Sequence, residues 1–176
     1  MSTVTFDFTG HVVMVTGANG NLGSAVARAF GSANAHLILV GRKPDRVREA
    51  LPELSSESRV FVAPATDLTD PDAVQAMVQK ALDRFGKIDI LANTVGGYRA
   101  GNPVHEMEVR TWDFMMDLNA RSAFLASRAV IPSMLDRSYG KIIHTASRAA
   151  LSGDRNASAY AAAKSAVLRL TESLAQ

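Results

Sequence analysis

Near the end of this 176-residue chain, in the stretch SAYAAAKSAVLRL, Tyr160 and Lys164 stand four residues apart. On a helix, residues at i and i+4 share a face, so the ammonium lies near the phenol. A free phenol has a pKa of ~10, and a neighbouring cation stabilises phenolate and draws that value down. A phenol tuned in this way can give or take the proton that accompanies hydride transfer at a carbonyl. Alone the pair discriminates little, since a packing tyrosine followed by a solvated lysine has the same spacing.

Two other stretches offer complementary chemistry. VVMVTGANGNLGSAVARAF carries Gly17, Gly20 and Gly23 between an apolar run and an amphipathic one. A dinucleotide fold seats its pyrophosphate at such a place: glycines admit the phosphates, and a helix N-terminus supplies free N–H groups and a positive dipole. The spacing is G-x-x-G-x-x-G, which a purely structural tight turn would share. The second stretch, LILVGRKPDR, ends an apolar run. A fold that binds NAD usually closes this strand with Asp or Glu, which grips the ribose 2′-hydroxyl. Here Gly41 stands in that place, followed by Arg42 and Lys43. A guanidinium without the acid suits a 2′-phosphate, against the plainer reading of a solvated basic turn. NADP is therefore the expected cofactor ahead of NAD. Replacing Gly41 by an aspartate and Arg42 by a neutral residue is expected to reverse that preference.

These residues need a scaffold, and the hydrophobic pattern supplies one. Short apolar runs at 11–15, 35–40, 59–63, 88–93 and 141–146 read as strands covered on both faces, as in a parallel sheet. Amphipathic stretches lie between them. The clearest starts at TDPDAV, where Thr69 or Asp70 can cap and Pro71 suits the first turn. Val74, Met77, Val78, Ala81, Leu82 and Phe85 then form one stripe, ended by Gly86. The alternation predicts an α/β fold, a doubly wound parallel sheet of the Rossmann type, in a single domain over 1–176.

Composition excludes several function classes. A net charge of +2 with scattered Lys and Arg argues against a nucleic-acid or membrane surface, despite the pI of 9.2. Without cysteine there is no disulfide or thiolate metal site, which fits a reducing compartment. His11, His36, His105 and His144 lack ligand spacing, so no metal is expected. MSTVTFDFTG is unlike a signal peptide and no apolar run approaches ~18 residues, which makes a cytoplasmic protein the default. NAS at 156–158 matches a glycosylation acceptor, read as chance in such a chain.

Ser147 closes GKIIHTAS thirteen residues before Tyr160, and Asn119 lies in MMDLNARSAFLASRAVIPSML ahead of it. With these in order, the sequence resembles the short-chain dehydrogenase/reductase family over essentially its whole length. By that resemblance Asn119, Ser147, Tyr160 and Lys164 form the catalytic set. Tyr160 would be the acid/base, and Ser147 would hydrogen-bond the substrate oxygen. Lys164 would tune the phenol and bind the nicotinamide ribose, while Asn119 would hold a relay water. The cofactor contacts implied are Gly17, Asn19, Gly20, Asn21, Leu22 and Gly23 in the turn at 16–23, with Arg42 after the second strand. Asp67 and Leu68 would follow for adenine, then Asn93 and Val95 in ILANTVGG, with Tyr160 and Lys164.

The function implied is NADP-dependent reduction of a ketone, or the reverse oxidation of a secondary alcohol. Rival readings are a catalytically silent nucleotide-binding or regulatory protein on the same fold, and an epimerase or dehydratase of the family's extended branch. Departures from the usual motifs are the glycine spacing, with Asn21 expected to cap the helix, and Thr94–Val95 after Asn93. The family also normally continues beyond position 176 with two strands and a substrate-covering segment. The chain is accordingly expected to be C-terminally incomplete, with an exposed edge beside its fifth strand. The helices at 122–135 and 160–170 are apolar around much of their circumference, and family members pair them across a two-fold axis, so a homo-oligomer (dimer or tetramer) is expected. Tyr98, Met107, Arg148 and Asp154 are expected to border the substrate pocket.

Overall fold

The structure is a computed structural model and describes residues 5–56 and 58–176. Five parallel strands form one sheet: β1 (Val12–Thr16), β2 (His36–Val40), β3 (Val60–Val62), β4 (Ile90–Asn93) and β5 (Lys141–His144). Their order in space is β3-β2-β1-β4-β5. This is the doubly wound α/β sheet that the hydrophobic pattern predicts. β1 is buried throughout because both of its faces are covered. Met14, Ile38 and Leu91 pack on one side with Val74, Met77 and Val130 from the helices there. Val13, Val15, Leu37 and Leu39 pack on the other with Ala27, Val47 and Leu54. A strand buried on both sides has no polar face, hence the unbroken apolar run.

Helices α1 (Asn21–Ser32), α2 (Pro44–Ala50), α3 (Pro52–Ser55) and α4 (Pro71–Phe85) occupy the first half. α4 begins and ends where its residues dictate. Asp70 Oδ1 accepts from the N–H groups of Asp72 and Ala73 at 2.9 and 3.3 Å. Gly86 closes the helix at φ 72°, a left-handed position that suits glycine. The start of α1 differs from expectation. Its cap is Gly20, with extended backbone and no side-chain cap bond, and Asn21 is already helical. A cap must keep non-helical backbone, so Asn21 cannot fill that role.

The second half contains α5 (Val109–Met115), α6 (Ser122–Leu135) and α7 (Ser158–Leu174). Met116–Arg121 between α5 and α6 is a π-helical stretch. β1 leads outward through β2 to β3 on one side and through β4 to β5 on the other. Strand order therefore reverses beside β1, and a crevice opens at the C-terminal strand ends where such sheets hold ligands.

Candidate active site

A cleft of about 760 Å³ occupies that crevice, walled by the loops after β1, β2, β3 and β4. Its floor is set by close backbone approach. Gly17 has φ +66°, and a Cβ there would meet Val95 Cα at 3.1 Å. A Cβ at Gly23 would come within 2.1 Å of the Gly17 carbonyl oxygen. Glycine is required at both positions. Ala18 N–H donates to the Val40 carbonyl (3.1 Å) and Gly20 N–H to that of Gly17 (2.9 Å), folding the turn onto the sheet. The first helical N–H groups of α1 have no partner from a preceding turn, the usual condition for holding an anion.

The Thr94–Val95 departure has a structural reason. Thr94 Oγ1 donates to the Thr16 carbonyl at 2.6 Å and ties the end of β4 to that of β1. Thr16 Oγ1 donates to Asn93 Oδ1 at 2.5 Å and accepts from the Thr94 N–H at 3.2 Å. Asn93 is buried by this network, behind the cleft wall.

On the other flank the cleft is basic. Arg42, Lys43 and Arg46 line it together with Asp67. Asp67 accepts from the backbone and side chain of Thr69 at 2.9 and 2.7 Å. Those bonds hold its carboxyl below the usual carboxylate range, with a smaller contribution from Arg42. Gly41 is tightly packed: a Cβ would lie 2.8 Å from Val47 Cγ2 and 3.1 Å from Asn19 Oδ1. The Gly41→Asp substitution suggested by sequence would therefore displace Val47 or Asn19, and Arg42 is the cleaner position to change.

At the far end Lys164 is 5% exposed, and its Nζ donates to the Thr145 carbonyl at 2.8 Å. Burial lowers its pKa below the ordinary lysine value. The ammonium lies 6.0 Å from the Tyr160 ring centroid, and Tyr98 packs edge-on against Tyr160 at 4.8 Å. Asn119 turns its side chain inward from the π-helical stretch. Its Nδ2 donates to the carbonyls of Gly97 (3.1 Å) and Met115 (3.0 Å), and its Oδ1 accepts from the Gly97 N–H (3.2 Å). A Cβ at Gly96 would lie 2.8 Å from Asn119 Oδ1 and 3.2 Å from Lys164 Nζ, so the glycine loop, Asn119 and Lys164 converge. Ser147 Oγ accepts from the Ala149 N–H at 3.2 Å, capping the short turn Arg148–Ala150.

Of the cofactor residues expected from sequence, Gly17, Asn19, Gly20, Arg42, Asp67, Leu68 and Val95 line the cleft. Gly23 and Asn93 are buried, whereas Asn21 and Leu22 are exposed at the start of α1. Of the expected pocket border, Met107 is half-buried, while Tyr98, Arg148 and Asp154 are exposed. Sequence reasoning did not single out Arg46, whose helical position behind Arg42 and Lys43 was the available signal. It also missed the close approach at Gly96, visible only as the glycine of NTVG.

The chain belongs to the short chain dehydrogenase family, whose model matches residues 11–176. It is 34% identical over 176 residues to a 2-dehydro-3-deoxy-D-gluconate 5-dehydrogenase of Formosa agariphila, covering 99% of this chain and 66% of that one. An uncharacterized oxidoreductase of Staphylococcus saprophyticus is 31% identical over 164 residues, covering 93% and 70%. The crystal structure of a metagenomic short-chain oxidoreductase in complex with NADP superposes with a TM-score of 0.87 at 31% identity, covering 94% and 75%. The chain spans 54% of the length of one such relative and 71% of another.

Proposed function

We propose that this protein is an NADP-dependent oxidoreductase that interconverts a ketone and a secondary alcohol, with Tyr160 as acid/base. The observation that carries this reading is Lys164. A buried ammonium is costly unless its donors are used, and within the described residues only the Thr145 carbonyl accepts from it. Two donors remain, close behind Gly96, which lines the cleft together with the glycine turn. Ribose hydroxyls fit them. The fit to a dinucleotide also rests on Gly17 and Gly23, where a Cβ would clash with Val95 and with the Gly17 carbonyl, so the turn that brings Gly20 to the cleft needs both glycines.

The bound nicotinamide would supply the hydride. Tyr160 would hold the proton exchanged with the substrate oxygen, with the Lys164 charge favouring negative charge on the phenol oxygen. Ser147 would donate to the substrate oxygen by rotating from its capping bond, and Asn119 would order the backbone at Gly97 beside the lysine. Arg42, aided by Lys43 and Arg46, would pair with a 2′-phosphate. Arg148 and Arg155 are exposed on the segment between Ser147 and Tyr160 and form no ion pair among the described residues. An anionic substrate suits that rim. The substrate named for the Formosa relative is a sugar acid, so carboxylated ketones are the first to assay. A homo-oligomer also belongs to this reading, supported by Trp112 and Phe124, exposed by 41% and 48% on α5 and α6.

The test is consumption of NADPH with a panel of keto acids and simple ketones, in wild type and Tyr160→Phe. Turnover should fall ~10²–10⁴-fold in the variant while cofactor affinity is kept. Equal turnover in both would remove Tyr160 from the role.

A further inference from the structure

Tyr98 has a placement that the proposed chemistry leaves unused. It lies in the segment 94–103, which follows β4 and contains neither helix nor strand. The segment is nonetheless pinned on both sides of Tyr98. Gly97 exchanges two hydrogen bonds with the Asn119 side chain, at 3.2 and 3.1 Å. A Cβ on Gly97 would lie 2.7 Å from Leu118 Cδ2, so its backbone is seated on the π-helical stretch. On the other side the Arg99 guanidinium lies 4.1 Å over the Phe114 ring. The Gly101 N–H then donates to the Asn156 carbonyl at 3.0 Å, which joins the segment to the approach to α7. Asn156 has φ +58°, a left-handed position that asparagine tolerates better than most residues. Tyr98 is therefore carried on a strap running from Asn119 to the residues before α7.

The strap sets the Tyr98 ring against Tyr160. Their centroids are 4.8 Å apart and their planes cross at 88°, the edge-to-face arrangement that aromatic pairs prefer. Tyr98 is 64% exposed, so its ring is not there to fill the core. Tyr160 in turn needs a partner from outside its helix. It is half-buried in the first turn of α7, and its hydroxyl makes no hydrogen bond among the described residues. The Lys164 ammonium lies 6.0 Å from its ring centre and comes from the same helix. A phenol oxygen sits at the end of a long side chain, so a change of rotamer moves it by several ångströms. Reacting atoms must be held within about 3–3.5 Å of each other. Among the described residues, Tyr98 is the one aromatic ring that packs on Tyr160.

We propose that Tyr98 is a positioning residue for Tyr160: its ring, held by the strap between Asn119 and Asn156, fixes the orientation of the phenol, and its own hydroxyl is dispensable. The consequence for turnover rests on Tyr160 being the acid/base as proposed above; the fixing of the ring does not.

The experiment reads Tyr98, Tyr139 and Tyr160, the only tyrosines in the chain, by NMR relaxation of isotope-labelled tyrosine rings without cofactor. The Tyr160 signal is assigned by its loss in Tyr160→Phe, and Tyr139, whose ring lies 6.2 Å from that of His11, is the control. The order parameter of the Tyr160 ring should fall in Tyr98→Ala and keep its wild-type value in Tyr98→Phe, with Tyr139 unchanged in both. An unchanged Tyr160 ring in Tyr98→Ala would overturn the proposal, as would an equal fall in Tyr98→Phe. In parallel, kcat and KM are measured with NADPH and a ketone that wild type reduces. Tyr98→Ala should lose roughly tenfold in kcat with KM for NADPH unchanged, and Tyr98→Phe should match wild type. A loss in Tyr98→Phe as large as in Tyr98→Ala would assign the effect to the hydroxyl and equally overturn the positioning role. If wild type reduces no ketone, the acid/base reading fails, and the order parameter still decides whether Tyr98 fixes the ring.

Discussion

Arg42 and Gly96 carry the sharpest tests at the scale of single residues. Arg42 lines the cleft and forms no ion pair among the described residues, so its guanidinium is available to a phosphate. A charge-assisted hydrogen bond contributes about 1.5–3 kcal/mol. Arg42→Gln should therefore weaken NADPH roughly tenfold or more and leave NADH unchanged, as titration of both cofactors will read. Gly96 makes a different point. A methyl there would press on Asn119 Oδ1 at 2.8 Å and on Lys164 Nζ at 3.2 Å. Gly96→Ala should keep the far-ultraviolet circular dichroism of wild type and lose ~10²-fold in turnover, since small misplacements at a reacting centre are that costly. A fully active Gly96→Ala would mean that the lysine is not held where its role needs it.

Elements are positioned by a few buried polar contacts, and Asp89 is the clearest. It precedes β4 and is 2% exposed at its side chain. It accepts from the Val12 N–H at 2.9 Å, from Lys87 Nζ at 2.9 Å and from Arg137 Nη1 at 2.7 Å, tying β1, β4 and the segment after α6 together. Burial alone would raise its pKa, but the bonds from Lys87, Val12 and Arg137 outweigh it and leave the carboxyl below its usual value. With the folded pKa depressed, the unfolded chain binds more protons as pH falls. The stabilisation is then complete above about pH 4 and is lost as pH drops through the folded value. Asp89→Ala should cost about 1–3 kcal/mol at neutral pH, because it leaves the Val12 N–H without its acceptor and takes the carboxylate from the half-buried Arg137 guanidinium. Thermal melts from neutral to acid should show the variant's deficit shrinking towards low pH. A deficit independent of pH would mean that the carboxyl acts through packing alone.

Among the described residues the sheet has two edge strands, β3 and β5, and the β5 edge is flanked by exposed apolar side chains. β5 pairs with β4 on one side only, and Ile143 is 53% exposed on it. Leu135, Tyr139 and Leu174 line the adjacent trough and are exposed by 71%, 42% and 43%. An open edge with apolar flanks templates association between chains, and lysine on the edge opposes it. Sedimentation of the 176-residue chain should show concentration-dependent association that Ile143→Lys reduces, with stabilisation by NADPH unchanged. If Phe124→Glu abolishes association and Ile143→Lys does not, the helical face is the contact instead.

Much of this was legible in the sequence because it rests on local physics. The apolar runs specify five strands, Asp70–Pro71 and Gly86 bound α4, and the glycine spacing marks the turn after β1, each through a preference that acts within a few residues. The order of Asn119, Ser147, Tyr160 and Lys164 pointed to the family by resemblance, since motif order is carried by the sequence itself. Contacts between distant segments were not legible. The start of α1 at Asn21 depends on how Gly17 to Gly20 fold against Val40 and Val95. The π-helical stretch depends on Asn119 reaching Gly97, and the Thr94 bond depends on β1 and β4 lying side by side. His144 read as a lone histidine with no ligand spacing. Only the packing of α6 and α7 on β5 gave it two hydroxyl partners, Ser127 and Thr171, because long-range juxtaposition is set by the assembled core and not by neighbours in the chain.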